Sequence, residues 1–183
     1  MFAPDRFVAA LRFAAERHHA QLVPGSELPY LVHVTSVTAE VIAALPGGDF
    51  DPDLAIVCAL LHDTIEDTTQ APAEAEALRA EIANRFGRLV AEGVDALSKD
   101  AALPKDQRMA DSLRRIREQP KAVWAVKLAD RITNLAPPPT HWTKAKCGAY
   151  RVEAQQILGA LGEASPALAD RLRSRIESYS AYC

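Results

Sequence analysis

ALLHDTIEDT, residues 59–68, is the stretch that decides the fold and the chemistry of this chain. Its first residues are apolar, and they run directly into four side chains that can bind a metal ion or move a proton: His62, Asp63, Glu66 and Asp67. Residues three and four apart are neighbours on a helix, so a continuous helix would place Glu66 above His62 and Asp63. Asp67 would lie above Asp63. The stretch therefore predicts one helix that ends in a cluster of metal-binding and proton-transferring groups.

Length and composition set limits on the class of protein. A chain of 183 residues, 49% of them hydrophobic, has enough apolar material for one core, and we expect a single domain over 1–183. The net charge of -3 gives no overall positive field, which argues against nucleic-acid binding by bulk charge. The three cysteines, Cys58, Cys147 and Cys183, form no CxxC pair, so neither a disulfide framework nor a thiolate zinc site is expected.

No apolar run approaches the roughly 20 residues that a membrane-spanning helix requires. We therefore expect no membrane-spanning segment. The cysteine pattern fits a reducing cytoplasm, and with no basic field we expect no nucleic-acid partner; no signal of an obligatory protein partner is evident.

Apolar residues recur every three to four positions through most of the chain, and proline or glycine separates the segments. No segment alternates strictly between apolar and polar residues as a strand does. The fold class predicted is all-α. The expected helices are a first one from about Pro4, then 31–45, a short one after 51–52, 71–86, 88–97, 105–118, one beginning at Pro120, 144–161 and 166–179.

Two further residues are candidates to join the central cluster. His33 lies in the first turn of the helix predicted over 31–45, although a histidine at a helix start often only bonds to the backbone. Asp130 lies within a strongly apolar helix, where a carboxylate is costly to bury unless a cation or hydrogen bonds compensate it. A salt bridge to Lys127 or Arg131 is the alternative account of Asp130.

Two imidazoles and two carboxylates make a mixed nitrogen and oxygen shell for one ion. Such a shell suits Mn²⁺ or Fe²⁺, with Zn²⁺ and Mg²⁺ less favoured. A metal with open positions can polarise a phosphoryl oxygen and lower the pKa of a water. Glu66 and Asp67 would then be placed to position or deprotonate that water; in isolation the two would be read as an exposed acidic pair.

Three motifs in this order carry a resemblance: LPYLVH at 28–33, ALLHDTIEDT at 59–68 and VKLADRITNL at 126–135. They resemble the HD-domain metal-dependent phosphohydrolases, and among these the small stand-alone alarmone hydrolases of the RelA/SpoT type. The resemblance runs from about Phe7 to Leu161. It implies an all-helical bundle, one Mn²⁺ per chain and a small-molecule nucleotide substrate. The implied reaction hydrolyses the 3′-pyrophosphate of guanosine tetra- or pentaphosphate, giving the 5′-di- or triphosphate and pyrophosphate.

The resemblance also implies roles for individual residues. The implied metal ligands are His33, His62, Asp63 and Asp130. The implied catalytic carboxylates are Glu66 and Asp67. The implied substrate-binding residues are Asn134, Tyr150, Lys105 and Arg108, the last two within a basic segment that also holds Arg114 and Arg115.

One segment departs from the family pattern. QLVPGSEL, residues 21–28, contains no Lys or Arg where relatives carry basic residues that close over the base. The preference for guanine or adenine therefore stays open. Two alternatives to the alarmone hydrolase also remain: another nucleotide phosphohydrolase of the HD superfamily, such as a 5′-nucleotidase or a phosphodiesterase, and a non-catalytic module that binds an alarmone.

Overall fold

The structure is a computed structural model that describes residues 2–183. Almost every element in that range is a helix, which confirms the predicted fold class. The α-helices are α1 Pro4–Arg17, α2 Leu31–Ala44, α3 Pro52–Leu61, α4 Thr64–Thr68, α5 Pro72–Phe86, α6 Arg88–Leu97, α7 Lys105–Arg117, α8 Lys121–Asn134, α9 Lys144–Leu161 and α10 Pro166–Tyr179. Short 3₁₀ turns at Gly162–Ala164 and Ser180–Tyr182 follow α9 and α10.

The helix boundaries follow from local chemistry. The side chain of Asp51 accepts a hydrogen bond from the backbone N–H of Leu54 at 2.8 Å and so caps the start of α3. Gly87 has a φ of +96°, a backbone conformation that favours glycine, and its N–H closes the last turn of α5 on the carbonyl of Ala83. The predicted stop at Gly87 and the start of the next helix at Arg88 are both confirmed.

Three helices, α2, α3 and α8, pack against one another and form the centre of the bundle. Every residue from Asp53 to Leu61 is buried, and so is every residue from Ala122 to Ile132. These two helices therefore lack an exposed face, and α1, α6, α9 and α10 cover them. The candidate ligands lie on or next to this central trio, so the core itself fixes their positions.

The prediction of one continuous helix over 59–68 is wrong. Helix α3 ends at Leu61, His62 and Asp63 form a turn, and α4 begins at Thr64. The Nδ1 atom of His62 lies 2.8 Å from the carbonyl oxygen of Ala59. In an uninterrupted helix that carbonyl would accept from the N–H of Asp63, so the imidazole competes with the backbone at the break.

The expectations about strands and membranes can be compared with the described residues. Between Phe2 and Cys183 the only extended pairing is an isolated bridge of Leu22 with Pro29, which closes a short hairpin. None of the helices in this range combines the length and apolar character needed to cross a membrane.

Candidate metal centre and active site

Four of the predicted residues converge at the end of α3. The Nε2 atom of His33, on α2, lies 3.5 Å from Oδ2 of Asp63 and 3.6 Å from Oδ1 of Asp130, on α8. The Nε2 atom of His62 lies 3.0 Å and 3.9 Å from the same two oxygens. Two imidazole nitrogens and two carboxylate oxygens, from α2, from the turn after α3 and from α8, thus face one small space.

The two histidines direct buried Nε2 atoms at the cluster, where the carboxylates of Asp63 and Asp130 face them. Nδ1 of His62 donates to the carbonyl of Ala59, which directs Nε2 towards the cluster. Nε2 of His62 and Nε2 of His33 are both buried, and neither makes a hydrogen bond. An unpaired buried ring nitrogen costs free energy unless something outside the protein binds it.

Asp130 is held on both sides. Its Oδ2 accepts from Nζ of Lys127 at 2.9 Å, and its Oδ1 accepts from Nδ2 of Asn134. The salt bridge to Lys127 that was an alternative account therefore forms. It occupies one oxygen only, and Oδ1 still faces the two imidazoles.

Asp63 is fixed by a residue of the LPYLVH motif. The hydroxyl of Tyr30 donates to Oδ2 of Asp63. Burial alone would raise the pKa of the Asp63 carboxyl, but His62 and His33 outweigh burial and hold that pKa well below its usual range. Asp63 is thus kept ionised.

The charge balance of the cluster favours a cation. Burial lowers the pKa of His62, but the neighbouring carboxylates, Asp63 above all, outweigh burial and raise that pKa to about 9. The two carboxylates therefore favour positive charge in the space between them and the imidazoles, which suits a cation.

The residues present fit a metal ion. Each of His33, His62 and Asp130 is buried and offers one ligand atom, and these three atoms lie within 4.8 Å of one another. Asp63 adds an oxygen between the two imidazoles. Unpaired Nε2 atoms, ionised carboxylates and hydrogen bonds that orient the ligands from behind are the properties of a mixed nitrogen and oxygen site.

The two predicted catalytic carboxylates differ in their partners. Glu66 accepts from the backbone N–H of Lys99 at 2.9 Å and from its Nζ at 3.2 Å, and it lines a cleft of about 630 Å³ between α4, α5, α6 and α7. Asp67 accepts from Nε2 of Gln21 at 2.7 Å. Loss of hydration and the charge of Asp63 raise the pKa of Asp67.

The predicted substrate-binding residues fall into two groups. Asn134 is exposed and contacts the cluster through Asp130. Tyr150 is half-buried, its ring lies 4.1 Å from the guanidinium of the buried Arg131, and burial raises the pKa of its hydroxyl to about 12. Nε and Nη1 of Arg131 have no hydrogen-bond partner in the protein. Asn134 and Arg131 thus lie on α8 with Asp130, and Tyr150 on α9 packs against Arg131.

The basic segment on α7 is used differently. Arg108 donates to the carbonyls of Leu103 and Ala101 at 2.9 and 2.8 Å, so its guanidinium ties down the preceding loop. Arg115 donates to the carbonyls of Asp95 and Ser98 and secures the end of α6. Lys105 is exposed, and across residues 2–183 no hydrogen bond or ion pair joins it to the cluster. Phosphate binding by Lys105 and Arg108 stays a prediction.

Comparison with known proteins agrees with this geometry. Residues 10–163 match the family described as HD domain. This chain belongs to the HD-domain family. A similar protein is the guanosine-3′,5′-bis(diphosphate) 3′-pyrophosphohydrolase MESH1 of Danio rerio, 30% identical over 168 residues, with 89% of this chain and 88% of that one covered.

Other HD-domain relatives extend the comparison. The guanosine-3′,5′-bis(diphosphate) 3′-pyrophosphohydrolase of Aquifex aeolicus is 33% identical over 130 residues, which are 69% of this chain and 17% of that one. The solved structure of a metazoan ortholog of SpoT that hydrolyses ppGpp aligns over 97% of both chains, with a TM-score of 0.81 and 24% identity. The predicted membership of the HD-domain family and its all-helical fold are confirmed, and the relatives agree with the predicted enzyme class.

The sequence did not reveal several residues that support this HD-domain site. Gln21, Tyr30 and Lys99 contact Asp67, Asp63 and Glu66 from 33 to 46 positions away along the chain. Such contacts have no periodic signal. Tyr30 alone lies within a quoted motif, three residues before His33.

Proposed function

We propose that this protein is a metal-dependent 3′-pyrophosphohydrolase of guanosine 3′,5′-bis(diphosphate) or of its adenosine analogue. The observation that carries the proposal is the convergence of His33, His62, Asp63 and Asp130, with Nε2 atoms of both imidazoles directed at the two carboxylates. Relatives that this chain covers almost end to end bear that activity in their names.

His33, His62, Asp63 and Asp130 would hold one divalent ion, and their nitrogen and oxygen donors suit Mn²⁺. Bound there, the ion supplies Lewis acidity, which neutralises charge on phosphoryl oxygens and lowers the pKa of water. Lys127 and Asn134 keep Asp130 in place from behind. Tyr30 does the same for Asp63.

The two carboxylates of α4 divide the remaining work. Asp67 has a raised pKa, which brings it closer to the pH at which it can take a proton from the attacking water and give it up again. Glu66, whose carboxylate accepts hydrogen bonds from the backbone N–H and Nζ of Lys99, would orient that water. The water oxygen bonds to the phosphorus next to the ribose, the bond from that phosphorus to the 3′-oxygen breaks, and the 3′-oxygen receives a proton.

Product analysis tests the proposal. Purified protein loaded with Mn²⁺ is incubated with the guanosine or the adenosine 3′,5′-bis(diphosphate), and the products are separated. We expect pyrophosphate and the nucleoside 5′-diphosphate in equal amounts. Release of orthophosphate would instead identify another nucleotide phosphohydrolase of the HD superfamily. Tight binding without turnover of either substrate would identify a binding module.

The division of roles is tested by metal content. Asp63→Ala removes a ligand, and we expect it to lose the metal ion along with activity. Glu66→Gln should keep one ion per chain and lose most of the rate, since misplacing a reacting group by about 1 Å can cost about 100-fold. Equal loss of metal from both variants would contradict the assignment.

A further inference from the structure

Gln21 links the end of α1 to the catalytic α4. Its Nε2 lies 2.7 Å from Oδ2 of Asp67, and its Oε1 lies 2.7 Å from Nδ1 of His18. An ionised carboxylate only accepts hydrogen bonds, so the amino group of the amide must face Asp67. The amide oxygen then faces His18, and Nδ1 of His18 must carry the proton that it donates.

His18 is built to hold that proton on one nitrogen. Its side chain is buried, 3% exposed, at the C-terminal cap of α1, and burial lowers its pKa. Its ring packs on Tyr30 with centroids 5.0 Å apart. Nε2, the other ring nitrogen, has no partner in the protein. A second proton there would be a buried donor without an acceptor, so His18 stays neutral and donates to Gln21 alone.

The backbone of Gln21 is held in place as well as its side chain. The carbonyl of Gln21 accepts from the N–H of Tyr30 at 2.9 Å, at the base of the hairpin that the Leu22–Pro29 bridge closes. His18 and this hairpin therefore leave the amide of Gln21 one orientation. That orientation presents the amide N–H of Gln21 to the carboxylate of Asp67, a residue that is otherwise exposed.

We propose that Gln21, oriented by His18, is a positioning residue for the hydrolysis, and that it holds the carboxylate of Asp67 in its productive place. The inference rests on the proposed function. Neither His18 nor Gln21 is assigned a contact with the substrate or the ion; both act through Asp67. Displacement of a catalytic group by about 1 Å can cost about 100-fold in rate.

Kinetics of matched variants test the catalytic part. Gln21→Met keeps the length of the side chain and removes both hydrogen bonds, while His18→Phe keeps a ring against Tyr30 and removes the donor. Each should lower kcat by about 10-fold, with KM and metal affinity changed by less than about twofold. The double variant should fall no further than the lower single variant, because the two residues act in series. The control is His19→Phe, which changes an exposed neighbouring ring whose recorded hydrogen bond is to the carbonyl of Glu16 and which should leave kcat unchanged.

Unchanged kcat in either single variant, or additive losses in the double variant, would overturn the proposal. So would a loss of metal affinity that accounts for the fall in rate, because the two residues would then support the metal site and not Asp67.

An NMR spectrum of the side-chain amides tests, without any substrate, whether His18 fixes the amide of Gln21. The signal of the Gln21 amide is identified by its loss in Gln21→Met. Its chemical shift should differ from that of a mobile glutamine side chain. It should move to that position in His18→Phe and stay in place in His19→Phe. A mobile Gln21 amide in the unaltered protein would refute the linkage even if the enzyme is active. A fixed amide in a protein that turns over neither alarmone would contradict the proposed function and the catalytic part of this inference.

Discussion

Asp130 shows how single residues are balanced in this protein. It lies fully within the core, where an ionised carboxylate needs compensation. Lys127 provides part of it and, with the imidazoles, holds the pKa of Asp130 at about 2 in spite of burial. Lys127 is itself buried, and the charge of Asp130 keeps its pKa raised although burial opposes this. Each charge is tolerated because of the other.

Replacement of Lys127 should therefore destabilise the metal-free protein most. We expect Lys127→Met to lower the free energy of unfolding by about 3 kcal/mol without metal, since it leaves a buried charge unpaired. Saturating Mn²⁺ should reduce the difference, because the ion supplies positive charge at the same carboxylate. Urea unfolding with and without metal measures both values. Lys121→Met, at the exposed start of α8, is the control and should change little; an equal loss in the two variants would refute the pairing.

Asp67 should set the acid side of the pH profile. As a base it must be deprotonated, so kcat/KM at saturating metal should rise with pH through the pKa of Asp67. Because that pKa is raised, the rise should occur at higher pH than an ordinary aspartate would give. Asp67→Asn should remove this rise along with about 10²–10⁴-fold of the rate. If Asp67→Asn kept the rate of the unaltered protein, or still showed the rise of kcat/KM at low pH, Asp67 would be excluded as the base.

At the scale of elements, helix α6 comes unusually close to the central trio. A Cβ atom added at Gly93 would lie 2.8 Å from Cγ2 of Val123 on α8 and 3.0 Å from Sγ of Cys58 on α3. All these groups are fully buried. Glycine is thus required here for the approach of three helices and not for backbone conformation.

Gly93→Ala should lower the free energy of unfolding by about 1–3 kcal/mol through overpacking. Gly148→Ala on α9 is the matched control, since its Cβ would meet no atom within 4 Å. That change should be neutral or stabilise the helix by up to about 1 kcal/mol. Thermal or urea unfolding of Gly93→Ala and Gly148→Ala measures the difference in stability. Equal stability of the two variants would show that α6 packs less closely against α3 and α8 than described.

Most of the helices could be predicted because their signals are local. Apolar spacing, prolines in first turns and Gly87 are all read within a few residues of the boundary that they set. The break between α3 and α4 could not be predicted from the sequence, because it depends on the hydrogen bond from the ring of His62 to the carbonyl of Ala59. Helical periodicity alone does not record which way a side chain points.

At the scale of the whole molecule, the candidate site joins three parts of the chain that the sequence separates widely. The three motifs predicted the residues that the structure brings together, since each motif combines metal-binding side chains with a helical context. The supporting contacts of Gln21, Tyr30 and Lys99 depend on tertiary packing and leave no such pattern. An ion at the site would bridge α2, the end of α3 and α8, so it should stabilise the fold as well as act in catalysis.

Titration of the chelated protein with Mn²⁺, with bound metal and pyrophosphate release measured in the same samples, tests the central claim most directly. The account predicts no turnover without metal, a rate that rises in proportion to bound ion, and saturation at one ion per chain. Full turnover by the metal-free protein, or activity that does not follow bound metal, would contradict it.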